Sequence, residues 1–416
     1  MKIIIIVFGL LIITFSLMAQ TPVLPIGEGT EANPYQIATW QNLYWISQTQ
    51  DAWDKHFIQT ADIDFADASP AITTWDEGCG WSPIGNYETD FTGKYNGDNH
   101  SISGLFINGN GYKMGLFGRI NSSNTEIKNL GLISATVSGV HYIGVLVGEN
   151  VYGTIRNCYC TGTVNGEELT GGGGLAGESI FGIITDCYST VTVNGYSMIG
   201  GLVGYTYEGT INNSYSTGNV TGSNFYIGGL VGKNFNGSIS NSYSTGTVTA
   251  AGYMGGLVGY NFGLISNCYS LSNVSGPNFY THGLVGRNDT NGVINNSYYN
   301  YETVLINNSH VITTCALTNE LFNAWLPEKS LNISDFLEND GSDYLINNIN
   351  DFKKLLAFSQ FSEYSFKLMN HLDLTTENNF YIPNLSSTFN GNSYTITNLT
   401  LNMSDFDNVA LFGKAN

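Results

Sequence analysis

Along the middle of the chain, short runs of apolar residues alternate with polar ones, are cut by glycine, and return in a fixed order. The pattern is plainest in GGLVGYTYEGTINNSYSTGNVTG from Gly200, GGLVGKNFNGSISNSYSTGTVT from Gly228 and GGLVGYNFGLISNCYSLSNVSG from Gly255. Looser copies start at Gly144, Gly173 and His282, and Gly115-Leu116-Phe117-Gly118 stands ahead of them. Marker leucines fall at Leu116, Leu146, Leu175, Leu202, Leu230, Leu257 and Leu284, so successive spacings are 30, 29, 27, 28, 27 and 27 residues. A recurring period of this size marks a repeat architecture.

Other columns keep register with the leucines. Ile127, Ile155, Ile184, Ile211, Ile239, Ile265 and Ile294 form one, each two residues before Asn129, Asn157, Asp186, Asn213, Asn241, Asn267 and Asn296. Further along come Tyr159, Tyr188, Tyr215, Tyr243, Tyr269 and Tyr298, then Val164, Val193, Val220, Val248 and Val274. A unit of short β runs bounded by glycine cannot bury its own apolar face, whereas units stacked at the inter-strand spacing of about 4.8 Å can. The expectation is therefore an all-β fold, a parallel β-helix or solenoid of about seven coils over 119–300, with Leu, Ile and Val as internal ladders and the asparagines at a bend. Leucine-rich, ankyrin and tetratricopeptide arrays need helices that this Gly, Ser and Thr pattern does not supply. Propeller blades need about 40 residues, more than the unit holds.

Residues 21–118 read differently, as an α+β capping module with a helix after Thr39 carrying Trp40, Leu43 and Ile46 at helical spacing, a strand from Phe57 to Phe65, and an Asn-Gly turn at Asn96-Gly97. The design returns at 341–416. Tyr344 and Ile346 match Tyr35 and Ile37, Ile349, Phe352 and Leu355 match the helix anchors, and Leu411-Phe412-Gly413 matches Leu116-Phe117-Gly118. A second, partial capping module predicts a natural chain that continues into a further array. Between them, 301–340 reads as a connector with a helix near Thr318 to Trp325.

Residues 1–19, with Lys2, an apolar run from Ile3 to Leu17 and small residues before Gln20, read as a secretory signal peptide, so the expected location is secreted or cell-surface, with no membrane insertion of the mature chain. The net charge of −19 excludes nucleic acid and anionic membrane surfaces as electrostatic partners. Charged residues make up only 11% of the chain, so few groups are available for catalysis. Cys158, Cys187 and Cys268 share a repeat position with Ser214, Ser242 and Ser297, which reads as a small inward site rather than a disulfide framework.

The Gly-Gly-Leu-Val-Gly runs followed by Ile-x-Asn-Cys/Ser-Tyr-Ser-Thr-Gly-x-Val resemble the GLUG repeat of bacterial surface and secreted proteins. The preceding GEGTEANPYQI from Gly27, ADIDF from Ala61, WSPIG from Trp81 and YNGDNHSISGL from Tyr95 resemble what comes ahead of such arrays. The resemblance implies an architectural, adhesin-like element. Some proteins with similar repeats are immunoglobulin-cleaving zinc metallopeptidases, whose chemistry needs His-Glu-x-x-His, and no histidine in this sequence is followed by glutamate.

No catalytic residue, cofactor or metal is expected. The glycines Gly172, Gly174 and Gly177 have dinucleotide-binding spacing but belong to the repeat column. Glu167 and Glu168 are the adjacent acids of the array and fall in its longest loop. The candidate binding surface is the row Tyr159, Tyr188, Tyr215, Tyr243, Tyr269 and Tyr298. If the neighbouring Cys or Ser points inward, tyrosine points out, and the row could stack on sugar rings or dock protein. The same row could serve only to stabilise the solenoid. The readings are adhesion to glycan or protein, then a passive stalk, then a carbohydrate-active β-helix enzyme.

Overall fold

The isoleucine column is the inner ladder of a ten-stranded parallel sheet. Ile127, Ile155, Ile184, Ile211, Ile239 and Ile265 sit on adjacent rungs and are sealed from solvent. Each buried side chain contributes roughly 1.5–3 kcal/mol. The computed structural model describes residues 20–403, 406 and 408–415; the signal segment 1–19 lies outside the described residues.

Three further sheets complete the cross-section, with six, seven and fifteen strands, and every strand pair in them is parallel. The fold is the expected all-β parallel solenoid, but the stack is about eleven turns long rather than seven. The difference lies in the N-terminal module, whose strands Tyr35–Ile37, His56–Gln59 and Lys94–Asn96 lead the ten-stranded sheet. Tyr35, Phe57 and Tyr95 occupy there the place that isoleucine takes later. The strand expected from Phe57 to Phe65 is broken into His56–Gln59 and Ile63–Asp64, because the chain turns a corner between two sheets. Helix α1 (Trp40–Gln48), capped by Thr39, buries Leu43 and Ile46 against this end.

The glycines of the repeat are set by backbone approach. A Cβ on Gly229 would lie 2.1 Å from the Gly256 carbonyl oxygen of the next coil and 3.0 Å from Ser244, so no side chain fits this corner. Gly259 lies against the backbone of Tyr226 and Ile227, where a Cβ would approach to 2.3 Å.

At the far end, strand Ala316–Leu317 extends the fifteen-stranded sheet beyond Tyr298–Asn300, and helix α2 (Asn319–Glu328), capped by Thr318, covers the last rungs. The second module repeats the first. Its strands Tyr344–Ile346, Ser365–Leu368 and Thr388–Asn390 pair in parallel with Tyr344, Phe366 and Phe389 in one column, and helix α3 (Ile349–Phe358) buries Phe352 and Leu355. It is joined to the connector that follows the array by the Tyr381 hydroxyl, which donates to the Ile312 carbonyl at 3.0 Å, and by an ion pair between Lys354 and Glu320 of α2.

Candidate binding surface

The tyrosine row begins with a local bend. Asn129, Asn157, Asp186, Asn213, Asn241, Asn267 and Asn296 all have φ between 47° and 55°, the left-handed region that asparagine and aspartate tolerate better than other non-glycine residues. Their side chains join coil to coil: Asn157 Nδ2 donates to Asn129 Oδ1 at 2.8 Å, Asn296 Nδ2 to Asn267 Oδ1 at 2.7 Å, and Asn213 Nδ2 to Asp186. The next residue turns inward. Ser214 Oγ donates to the Asn212 carbonyl at 2.8 Å and accepts the Cys187 N–H at 3.1 Å, and Ser242 serves Ser214 in the same way. A thiol can make the same donation, as Cys187 does to Thr185 O at 3.1 Å, which is why the position takes Cys or Ser. All six cysteines are free thiols.

With that neighbour inward, tyrosine projects outward, half-buried, at five of the six sites. Ring centroids of Tyr159, Tyr188, Tyr215, Tyr243 and Tyr269 are separated by 5.1, 5.0, 4.7 and 4.8 Å, with planes within 6° of parallel. The rings therefore stack along the solenoid axis, each face against the next, and the row turns edges and hydroxyls to solvent. Tyr298 is different, being 5% exposed and set edge-on to Trp325 at 5.2 Å. The first ring, Tyr159, lies over Gly131, where a Cβ would meet it at 2.3 Å. The last exposed ring, Tyr269, abuts Phe322 and Trp325 of α2, with Lys329 Nζ 4.6 Å from its centroid. Burial pushes the Tyr269 hydroxyl up to about 12, and it raises those of Tyr159, Tyr215 and Tyr243, whose neighbouring tyrosines add to the shift at Tyr159 and Tyr215.

Helix α2 closes both ladders. Trp325 Nε1 donates to Asn296 Oδ1 at 2.8 Å, and the Lys329 carbonyl accepts from Asn296 Nδ2.

Two features escaped the sequence reading. A second amide ladder runs along the seven-stranded sheet, where the buried Asn234 Nδ2 donates to the buried Asn261 Oδ1 at 2.8 Å and Asn261 Nδ2 to the exposed Asn288 Oδ1 at 2.7 Å. On the outer face of that sheet one column runs Arg119, Glu149, Glu178, Tyr205, Lys233, Tyr260, Arg287. Glu149 is held by Lys113 at 2.7 Å and by Arg119, and Glu178 beside it is buried. Desolvation, with the Glu149 charge adding to it, pushes the Glu178 carboxyl up to about 8. Glu167 and Glu168 are exposed and line a groove of about 950 Å³ with Cys79, Asn108 and Tyr112. Among the described residues no three His, Cys, Asp or Glu converge as a metal site would require, and no helix is long and apolar enough to cross a membrane.

Stacked parallel coils, in-register ladders and a helix sealing the last rung define a β-solenoid repeat protein. Within that class the chain carries the GLUG motif, matched at residues 139–165, 195–221, 223–249 and 250–275. Halomucin of Haloquadratum walsbyi is 34% identical over 148 residues, 35% of this chain and 2% of that protein. A candidate Gly-rich membrane protein of Evansella cellulosilytica is 38% identical over 144 residues, 33% of this chain and 16% of that one. The chain thus spans a small part of either relative. Among solved structures, a candidate immunoglobulin A1 protease from Bacteroides ovatus is similar in fold, with a TM-score of 0.51 and 22% identity over 76% of this chain and 92% of that one.

Proposed function

We propose that the chain is an extracellular, non-enzymatic β-solenoid that presents a long surface for adhesion to glycan or protein. The observation that carries the reading is the tyrosine row, in which four consecutive ring-to-ring steps of 4.7–5.1 Å set phenol hydroxyls in line. A line of donors and acceptors at rung spacing matches a repeating polymer better than a small solute. The names of the relatives, a halomucin and a Gly-rich membrane protein, agree with a place at the cell surface. The test is the double substitution Tyr215→Phe with Tyr243→Phe, which keeps the stack and removes two hydroxyls. Glycan-array signal that drops for this variant while its melting curve is unchanged supports adhesion through the row. An unchanged array signal removes the row from binding.

A passive stalk is the second reading, favoured by the ring faces being occupied by one another. In that case the phenylalanine variant behaves as wild type in every binding assay, and replacement of the same tyrosines by alanine lowers stability alone.

A further inference from the structure

A second aromatic grouping lies on another face, and it is built differently. Lys233 points out of the seven-stranded sheet into a bowl of rings, with Nζ 5.2 Å from the centroid of Tyr205, 5.5 Å from Phe235, 5.7 Å from Tyr226 and 5.9 Å from Tyr260. Its ammonium has no acidic partner among the described residues, in a chain with 33 acidic and 14 basic side chains. At one other place the same motif is neutralised: Lys113 and Arg119 lie over Tyr87, but Glu149 and Asp90 hold them. Two rungs on, beyond Tyr260, Arg287 sits 5.1 Å from the Tyr253 ring and donates to its hydroxyl at 3.1 Å. Asp289 is 4.0 Å from Arg287 and is occupied by the Tyr260 hydroxyl at 2.8 Å.

The rings of this bowl do not form one stack: Phe235 is stacked between Tyr207 and Phe262, and Tyr226 lies parallel to Tyr253 at the wider centroid separation of 6.2 Å, but Tyr260 is tilted against Tyr226. Tyr226 and Tyr260 meet at 49°, Phe225 and Tyr253 at 39°, and Phe225, Phe279 and Tyr280 are at least 36% exposed. Tyr226 has φ 67°, at a corner where Tyr142, Gly171 and Met198 of earlier coils also have positive φ, so the left-handed conformation, which costs a non-glycine residue about 1–2 kcal/mol, belongs to the turn of the coil and fixes where the Tyr226 ring leaves it.

We propose that the Lys233 bowl binds a glycan through one carboxylated sugar, its carboxylate on the Lys233 ammonium, its ring on the faces of Tyr226 and Tyr260, with Arg287 flanking. An open aromatic face suits the apolar side of a pyranose, and a partly desolvated ammonium suits a single carboxylate. Burial lowers the Lys233 pKa, and an ion pair with a ligand returns part of that cost. The net charge of −19 weighs most against a polyanion, which meets many of the chain's charges at once, whereas screening confines the repulsion to within about 8–10 Å and leaves a singly charged sugar free to approach. The site is separate from the tyrosine row and does not depend on it.

The experiment is titration of the full chain with two acidic oligosaccharides, one ending in glucuronate and one in sialate, and with the neutral counterpart of each. Binding to either acidic form, at least tenfold weaker for the neutral counterpart and weakened by added salt, supports the proposal and identifies which acid is read. The variant Lys233→Met should lose about tenfold or more, the scale of a charge-assisted hydrogen bond, while Tyr215→Phe with Tyr243→Phe should not. Equal affinity for neutral and acidic forms, no binding of either acid, or an unchanged Lys233→Met variant overturns it. The neutral-sugar and salt comparisons decide the matter on the wild-type chain even if a variant misfolds. Loss of binding in the tyrosine-row variant alone would count against this site and for the row.

Discussion

The tyrosine row and the Lys233 bowl are both aromatic surfaces of one solenoid, and they differ in what the rings do. In the row, planes lie within 6° of parallel and every face is taken by the next ring. In the bowl, Tyr226 and Tyr260 meet at 49° around an ammonium that has no acidic partner among the described residues. Repetition of one residue type at one rung position gives stacking, which spends ring faces on stability. Unlike rings can stack as well, as Tyr152 does on Phe181 and Tyr207 on Phe235, so what sets the bowl apart is the Lys233 ammonium that its column places among the rings.

The comparison predicts, first, that the largest loss of stability follows from removing the seal of the row. Trp325 is fully buried, abuts Tyr269 and Tyr298, and donates to Asn296. The variant Trp325→Ala should cost about 3–5 kcal/mol in urea unfolding. A cost below about 1 kcal/mol would mean that the ladders do not depend on α2.

Next in size is a matched pair. Replacing Tyr243 by alanine removes two stacking contacts and should cost about 2 kcal/mol. Replacing Tyr226 by glycine also removes a ring, but it relieves a left-handed residue worth about 1–2 kcal/mol, so stability should change little. Equal losses in thermal melts of the two variants would erase the distinction between a row built for stability and a bowl held against strain.

The row was legible in the sequence and the bowl was not, for one physical reason. Ladders of identical residues, such as Ile127 to Ile294 or Tyr159 to Tyr298, announce themselves at a fixed period. The column Arg119, Glu149, Glu178, Tyr205, Lys233, Tyr260, Arg287 has no repeated identity, and only strand pairing shows that its members are neighbours. The N-terminal coils were hidden in a similar way. Tyr35, Phe57, Tyr95 and Ile127 share one column, yet they stand 22, 38 and 32 residues apart and use three residue types. The αL asparagine bend was readable because few side chains tolerate that conformation, whereas the Asn234, Asn261 and Asn288 ladder alternates in earlier coils with Ser179 and Thr206. The seal by Trp325 could not be read at all, since its partners Tyr298, Asn296 and Tyr269 lie 27, 29 and 56 residues away in the coils.

The smallest effect concerns the acid half of the bowl's own column. Glu178 lies two rungs before Lys233, and its carboxyl is pushed from an ordinary 4.5 up to about 8 by burial and by Glu149. Through the window from pH 4.5 to about 8 the folded chain keeps a proton at Glu178 that the unfolded chain has released. Folding therefore takes up a proton, and stability from this group is full below pH 4.5 and declines as pH rises toward 8. The variant Glu178→Gln supplies a permanently neutral side chain of the same shape, so its urea midpoint should fall less steeply than wild type across that window. The proton also bears on the bowl, because a neutral Glu178 leaves the Lys233 ammonium uncompensated near neutral pH, whereas an ionised one two rungs away draws on it. Parallel pH profiles for the two proteins would show that Glu178 is ionised in the folded chain, and the column would then carry its acids and bases as ordinary charges along one face.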